Sequence, residues 1–399
     1  MKDLFPKFWF HTTKLVESLT EVIDNDGGKP SDGAPVDVDR WLMRATLDII
    51  AAAGFGVNVN AIKAPENDLA KTLPLINATN PQANFFRLLA FFVPQWLYFR
   101  LPMARRYEVD RIKKVMADAT IPIISSRRAA LSEKDTIDPD SEGELSGSNA
   151  QIFADTDIIS TLLRFPQSFT DEELLDQSAT ILAAGQDTTS IALTWALYLL
   201  AHHPEIQAAL RIEIQNHLPS PSSDESVNAQ LIESLPCLAA VCSEVLRLYP
   251  PATLIRRRVV KPGTFILGHH MPVGTMLITS VWGTHRLQSV WGPDVKEFKP
   301  ERFIQYGEDG KMKFDAYGGL KGELAMYTFM PFGAGVRSCI GERFARGEFA
   351  TLLAGLVGRF EWSPTIPNAK IGEDITINFG IIIKPQGGLS LRAKRLEGW

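Results

Sequence analysis

The chain of 399 residues is 45% hydrophobic and 22% charged, the balance of a folded globular protein and not of a disordered or fibrous one. Its 41 Lys and Arg stand against 46 Asp and Glu, a formal net charge of -5, which removes the whole-molecule basic field that would hold nucleic acid. Three cysteines, Cys237, Cys242 and Cys339, cannot build a disulfide framework and read as thiols of a reducing, cytosol-facing compartment.

In chain order, apolar residues at helical spacing predict a helix over 4–23, a turn-rich loop over 24–36 and a second helix over 39–55, stopped by Gly54 and Gly56. No apolar run reaches the 18 residues of a membrane span, and the start of the chain shows neither the basic nor the apolar part of a signal peptide. The nearest candidate, 85–99, is broken by Arg87, Pro94 and Gln95; it suits either a core helix pair or a surface dipping into lipid. A basic amphipathic helix follows over 105–131, and the polar, acidic stretch 132–149 reads as a mobile loop.

The helix over 170–203 carries the most information. Thr170 and Glu173 form a capping box at its start, Pro204 halts it, and at 1.5 Å per residue it runs roughly 50 Å. Its flanks are apolar nearly all round, the mark of a buried helix, yet its centre reads Gly185, Gln186, Asp187, Thr188, Thr189, Ser190. Polar groups in such a place need partners or a purpose. A helix over 231–249 ends at Pro250-Pro251, and short β-prone runs fill 252–280 and 372–395. The expected class is mainly α with small β-sheets; no strand–helix alternation points to a doubly wound sheet.

Residues 332–341 read F-G-A-G-V-R-S-C-I-G and lead into a helical pattern at Phe344, Ala345, Phe349, Leu352, Leu353 and Leu356. A glycine-rich loop thus delivers Cys339 to a helix N-terminus, where partial positive charge and free N–H groups favour a thiolate, and the glycines let a flat ligand approach closely. One cysteine without a second C-x-x-C or a nearby His argues against zinc. On these residues alone, a thiolate ligand and a structural cysteine in a tight turn both remain open.

Phe332, Gly335, Arg337, Cys339 and Gly341 complete the pattern F-x-x-G-x-R-x-C-x-G, which resembles the haem-binding signature of the cytochrome P450 family. The resemblance implies that fold as one domain over 1–399, with Cys339 as axial thiolate on the iron of haem b, a ligand that favours O–O cleavage, and Arg337 paired with a haem propionate. Further elements fall in the family's order. Ala184-Gly185-Gln186-Asp187-Thr188-Thr189 looks like its oxygen-activation motif, in which Asp187 and Thr188 would relay protons; read alone, the same stretch also leaves open a polar kink satisfied within the core. Glu244 and Arg247, at i and i+3, would read alone as a surface pair. With Arg302 in Phe298-Lys299-Pro300-Glu301-Arg302-Phe303 they resemble the family's structural Glu-Arg-Arg network. Arg257 is the expected second propionate partner; Arg256 and Arg258, its neighbours on a strand, would point to the opposite face. His269-His270 is not read as a metal site, and Cys237 and Cys242 read as small core groups. Ile181, Ala184, Thr188, Ala252, Thr253, Leu254, Phe379, Gly380 and Ile381 would line a substrate pocket by their place in the resemblance.

The expected activity is a monooxygenase that inserts one atom of O2 into a lipophilic small molecule. No G-x-G-x-x-G fingerprint for a nicotinamide or flavin occurs, so electrons would come from a separate donor of the NADPH–cytochrome P450 reductase type. Arg337, Arg343 and Arg346 offer that donor a local basic face, or form an ordinary solvated helix face. Met1 to Pro6 resembles a position inside the family's helical domain, so the fold is expected to be N-terminally truncated, without anchor, first strands, pocket loop and propionate-holding helix. A full-length form would sit on the cytosolic face of the endoplasmic reticulum membrane, and a membrane surface is a candidate contact. Two alternatives are an isomerase or dehydratase on the same fold and a remnant that holds no haem.

Overall fold

The computed structural model describes residues 2–26, 33–72, 93, 111, 114–118, 120–122, 124–126, 128, 158–163, 169–322, 325–367, 369–379 and 382–399. The stretch 85–99 apart from residue 93, the loop 132–149, and the pocket candidates Gly380 and Ile381 lie outside them. The chain divides into two compact units, Met1–Asp39 with Ile191–Trp399, and Arg40–Ser190.

The helices and strands follow in chain order: α1 (Phe5–Asn25), β1 (Ala34–Asp37), α2 (Val38–Phe55), α3 (Asp68–Thr72), α4 (Ile158–Leu163), α5 (Asp171–His202), α6 (Pro204–His217), α7 (Ala229–Glu233) and α8 (Pro236–Leu248). Then come β2 (Leu254–Arg258), β3 (Thr264–Ile266), β4 (His269–Met271), β5 (Met276–Ser280), α9 (Val281–Thr284), α10 (Gln288–Trp291), β6 (Ile304–Tyr306), β7 (Met312–Phe314) and α11 (Ala325–Thr328). The chain closes with α12 (Glu342–Arg359), β8 (Phe360–Pro364), β9 (Ile377–Phe379), β10 (Ile383–Pro385) and β11 (Ser390–Arg395). This is the mainly α class with small antiparallel sheets that the sequence predicts. Among the described residues no helix is long and apolar enough to cross a membrane.

The capping box forms as expected: the Glu173 N–H donates to Thr170 Oγ1 at 3.2 Å, and the Thr170 N–H donates to Glu173 Oε2 at 2.8 Å. Two expectations fail. The 231–249 helix is two helices, because Pro236 has no N–H to give to a helical interior and instead occupies the first turn of α8. Within the expected 24–36 loop, β1 begins at Ala34 and runs to Asp37, pairing with β11 in the register Ala34↔Ala393 and Val36↔Leu391; β8 flanks β11 on its other side. A four-residue strand whose partner lies more than 350 positions away leaves no local signature.

In the first unit α12 is the core helix, buried along most of its length from Gly347 to Gly358. α1 lies against it through Phe8 on Phe344, ring centroids 5.0 Å apart, and through Thr12 on Gly355. A Cβ at Gly355 would collide with the Thr12 methyl, and Thr12 cannot swing away, since its hydroxyl donates to Phe8 O at 2.8 Å and it is fully buried. Gly355→Ala is therefore expected to destabilise the fold by about 1–3 kcal/mol, read as a lower urea midpoint at constant m. An unchanged midpoint would mean that α1 does not approach α12 so closely.

His11, 4% exposed on α1, is pushed down to about 4 by desolvation, with Lys14 and Lys7 adding to it. Between its ordinary 6.5 and about 4 the unfolded chain binds a proton that the folded chain refuses, so stability falls as pH falls through that window. The contribution is up to about 1.4 kcal/mol per pH unit. His11→Gln is expected to flatten the plot of urea midpoint against pH by that slope, and parallel plots for the two proteins would contradict the assignment.

Candidate functional site

The first unit builds its site from a buried charge network outward. On α8, Glu244 and Arg247 are both 0% exposed, so they are not the surface pair that they would read as alone. The Arg247 guanidinium meets the Glu244 carboxylate in a fork, Nε to Oε2 at 2.6 Å and Nη2 to Oε1 at 2.8 Å. Its other N–H groups reach backbone carbonyls, Nη1 to His285 O at 2.9 Å and Val295 O at 2.8 Å, Nη2 to Glu297 O at 3.2 Å. Arg302 approaches Glu244 Oε1 at 3.5 Å and donates to Trp291 O at 2.9 Å and Asp294 O at 2.6 Å; the Lys299 N–H donates to Glu244 Oε1 at 2.9 Å. Burial pushes the Glu244 carboxyl up, and the Arg247 guanidinium, the Lys299 N–H and Arg302 pull it back. Side chains far apart in sequence are thereby tied to the backbone from 285 to 299.

The cysteine loop follows α11. Gly333 and Gly335 have φ of +76° and +77°, which side-chain-bearing residues rarely adopt. The Gly333 N–H donates to Met330 O at 3.0 Å, the Ser338 N–H to Gly335 O at 3.0 Å, and the Cys339 N–H to Phe332 O at 2.8 Å. These bonds close a tight turn that sets Cys339 two residues before Gly341, the N-cap of α12. Cys339 is the exposed cysteine; Cys242 is buried and Cys237 half-buried. Desolvation at the loop pushes the Cys339 thiol up, the Gly341 N–H pulls it down, and the Glu342 carboxylate adds an upward push. Desolvation thus opposes the helix N-terminus at this sulfur, and a bound metal cation would overcome that opposition, because a coordinating thiol is deprotonated outright.

Strand β2 lies beside this loop: the Ile255 side chain comes within 3.7 Å of where a Cβ on Gly333 would stand. Alternation along a strand puts Arg257 on the face of Ile255 and turns Arg256 and Arg258 away. Arg257 is exposed and donates to Arg256 O at 2.9 Å. Ala252, Thr253 and Leu254 lead into β2, Ala252 bridging to Ile382, while Phe379 ends β9 with its ring 5.3 Å from Trp282. Arg337 is exposed within the loop; Arg346 lies 4.7 Å over the Phe332 ring and bonds Glu342 at 3.0 Å.

The second unit carries the polar turn of α5. Thr188 Oγ1 donates to Ala184 O at 2.7 Å, Thr46 Oγ1 to Gln186 O at 3.0 Å, and Gln186 Nε2 to Met43 O at 3.0 Å. A Cβ at Gly185 would stand 2.8 Å from Ile50 Cγ1, so glycine is needed there for α2 to cross. Asp187 is buried and Thr188 half-buried; Ile181 lies about two turns before Thr188 on the same helix.

The residues of the loop suit a haem. The donor is one sulfur: among the described residues no group of three or more His, Cys, Asp or Glu gathers for a metal. A lone thiolate suits a metal that arrives with its own in-plane ligands, as porphyrin iron does. Val336 and Ile340, on either side of Cys339, are 104% and 103% exposed, apolar surface of the kind that a flat hydrophobic ligand covers. One residue of this site escapes sequence reasoning, the buried His285, which bonds both Arg247 and Met330; a lone His beside an Arg carries no spacing signal.

The cytochrome P450 family model matches residues 10–389 and so spans both units. Cytochrome P450 monooxygenase sphH of Aspergillus fumigatus is 32% identical, over 100% of this chain and 68% of that protein. Cytochrome P450 monooxygenase ALT8 of Alternaria alternata is 32% identical over 100% of this chain and 71% of its own length. Ganoderic acid synthetase CYP5150L8 of Ganoderma lucidum is 32% identical over 87% of this chain and 66% of its own length.

Proposed function

This chain belongs to the cytochrome P450 family and is a haem-dependent monooxygenase, and from that premise we propose that Cys339 is its axial thiolate. The observation that carries the assignment is the loop itself, which exposes one sulfur between two fully exposed aliphatic side chains at the start of a buried helix. When bound, the haem supplies O2 activation, one atom entering a lipophilic substrate and the other leaving as water. Phe332, Gly335 and Gly341 shape the turn that presents the sulfur. Arg337 and Arg257 are proposed as propionate partners; for Arg257 the support is that it shares a strand face with Ile255, which reaches Gly333.

Asp187 and Thr188 are proposed as the proton-handling pair, and Ala184 and Gly185 as further cofactor-binding positions. The Thr188 hydroxyl gives its hydrogen to Ala184 O, which leaves the lone pairs of Oγ1 free to accept a hydrogen bond from a proton-carrying group. Ile181, Ala252, Thr253, Leu254 and Phe379 are the positions we assign to substrate. We further propose that the haem is haem b, that the electron donor is of the NADPH–cytochrome P450 reductase type and that the setting is the cytosolic face of the endoplasmic reticulum membrane; membership of the family supports a haem iron and a redox partner, and the finer choices rest on the resemblance alone.

The test is incorporation of labelled O2 into product with a reductase present, alongside the carbon monoxide spectrum of the reduced protein. A red-shifted Soret band of a thiolate-ligated carbonyl complex and label in the product are expected; a protein with neither refutes the reading. In the same assay Thr188→Ala is expected to lower product formation on the order of 10²-fold, the low end for a lost proton carrier. Full activity in that variant would remove Thr188 from the mechanism.

A further inference from the structure

Among the described residues, the cysteine loop makes no direct hydrogen bond to the Glu244 or Arg247 side chain. What lies between them is His285, the residue after α9, 0% exposed. Resting on Cys339 as the iron ligand, we propose that His285 is a positioning residue that couples the Glu244–Arg247–Arg302 network to the turn presenting that sulfur. The chemistry of its two bonds is directional. Arg247 O, a carbonyl, only accepts, so His285 Nδ1, 3.2 Å away, carries the ring hydrogen and donates. The Met330 N–H donates to His285 Nε2 at 3.0 Å, so that nitrogen keeps its lone pair. Only the neutral Nδ1–H tautomer makes both bonds. Burial agrees, pushing the imidazole down to about 3.

From His285 the path is continuous. Arg247 Nη1 holds the His285 carbonyl at 2.9 Å while the ring returns to the Arg247 carbonyl, so the two residues clamp each other. Met330, buried, is fixed through its N–H, and its carbonyl accepts from Gly333 N at 3.0 Å. Two residues further on, Phe332 O accepts the Cys339 N–H at 2.8 Å. The Phe329 ring lies 5.3 Å from the imidazole and packs on Trp291 and Phe303, the apolar cluster beneath the network. Without an acceptor at position 285 the Met330 N–H is buried and unpaired, and the turn loses the bond that sets where its glycines begin to bend.

The experiment compares His285→Leu, which removes donor and acceptor, with His285→Gln, whose amide offers one of each at similar spacing, in the full chain. The first readout needs no haem: amide hydrogen exchange of the 330–339 segment, with α6 as internal reference. His285→Leu is expected to speed exchange in 330–339 on the order of tenfold or more while α6 is unmoved, and His285→Gln to restore protection. The second readout is the ratio of thiolate-type to thiol-type carbonyl Soret bands, expected to fall in the Leu variant and recover in the Gln variant. Unchanged protection of 330–339 in His285→Leu, loss spread evenly over α6 as well, or a Gln variant that behaves as Leu overturns the proposal. A parent protein with no thiolate band, in which exchange still responds locally, defeats the Cys339 assignment and leaves the coupling of His285 to the loop standing.

Discussion

Cys339→Ala is expected to abolish the thiolate-type carbonyl band and to reduce product formation by at least about 10³-fold, a loss of more than about 4 kcal/mol in transition-state stabilisation. The fold should barely notice, because an exposed loop side chain away from the core contributes within about 0.5 kcal/mol. The other two cysteines provide the control. Cys242 is buried and its thiol is pushed far up by desolvation. Cys237 is pushed up to about 12, first by burial and then by the Glu213 carboxylate that accepts its backbone N–H. Neither lies on the glycine loop, and Cys242 is buried and Cys237 half-buried where Cys339 is exposed, so Cys237→Ala and Cys242→Ala should keep the band. A band that survives Cys339→Ala, or vanishes with Cys242→Ala at unchanged stability, would move the ligand elsewhere.

Glu244→Ala is expected to cost about 3–5 kcal/mol of stability, because it leaves a fully buried guanidinium without its counter-charge. Arg247 would retain its bonds to His285 O, Val295 O and Glu297 O, but no carboxylate would balance the cation, and the Lys299 N–H would lose its acceptor as well. Glu244→Gln keeps an acceptor and removes only the charge, so it should fall between the parent and the Ala variant. Urea unfolding followed by far-UV circular dichroism, on haem-free protein, isolates this effect from ligand binding. A loss under about 1 kcal/mol would mean that water or a neighbouring acid takes over the charge, and the network would then not deserve its place as the anchor of the 285–299 backbone.

Parts of the site are legible in the amino-acid order because their signals are local. The Thr170–Glu173 box and the polar residues 185–190 lie on one helix with its apolar flanks; the box forms and the 191–200 flank is buried, whereas in the 181–184 flank only Leu182 is buried and Ala184 is exposed. The glycine–cysteine loop is likewise local, since positive φ at Gly333 and Gly335 is a demand that a short sequence announces. Three features are not legible in this way. The break at Pro236 is masked by apolar periodicity continuing on both sides of it. β1 depends on β11 at the other end of the chain. The upward push on the Cys339 thiol runs against the helix-terminus argument, because loop desolvation outweighs the Gly341 N–H.

The amino-acid order by itself determined the helical class, the loop that offers a single sulfur and the family signature around it, because each depends on residues within about ten positions of one another. Tertiary structure decided that the face of Ile255 and Arg257 lies toward the cysteine loop, why Gly185 must be small, and that Glu244 and Arg247 are buried. It also brought His285 between Arg247 and Met330. Periodicity fixes which side of a helix or strand is apolar; which element covers that side depends on the long-range packing of the whole chain, and no short segment contains that information.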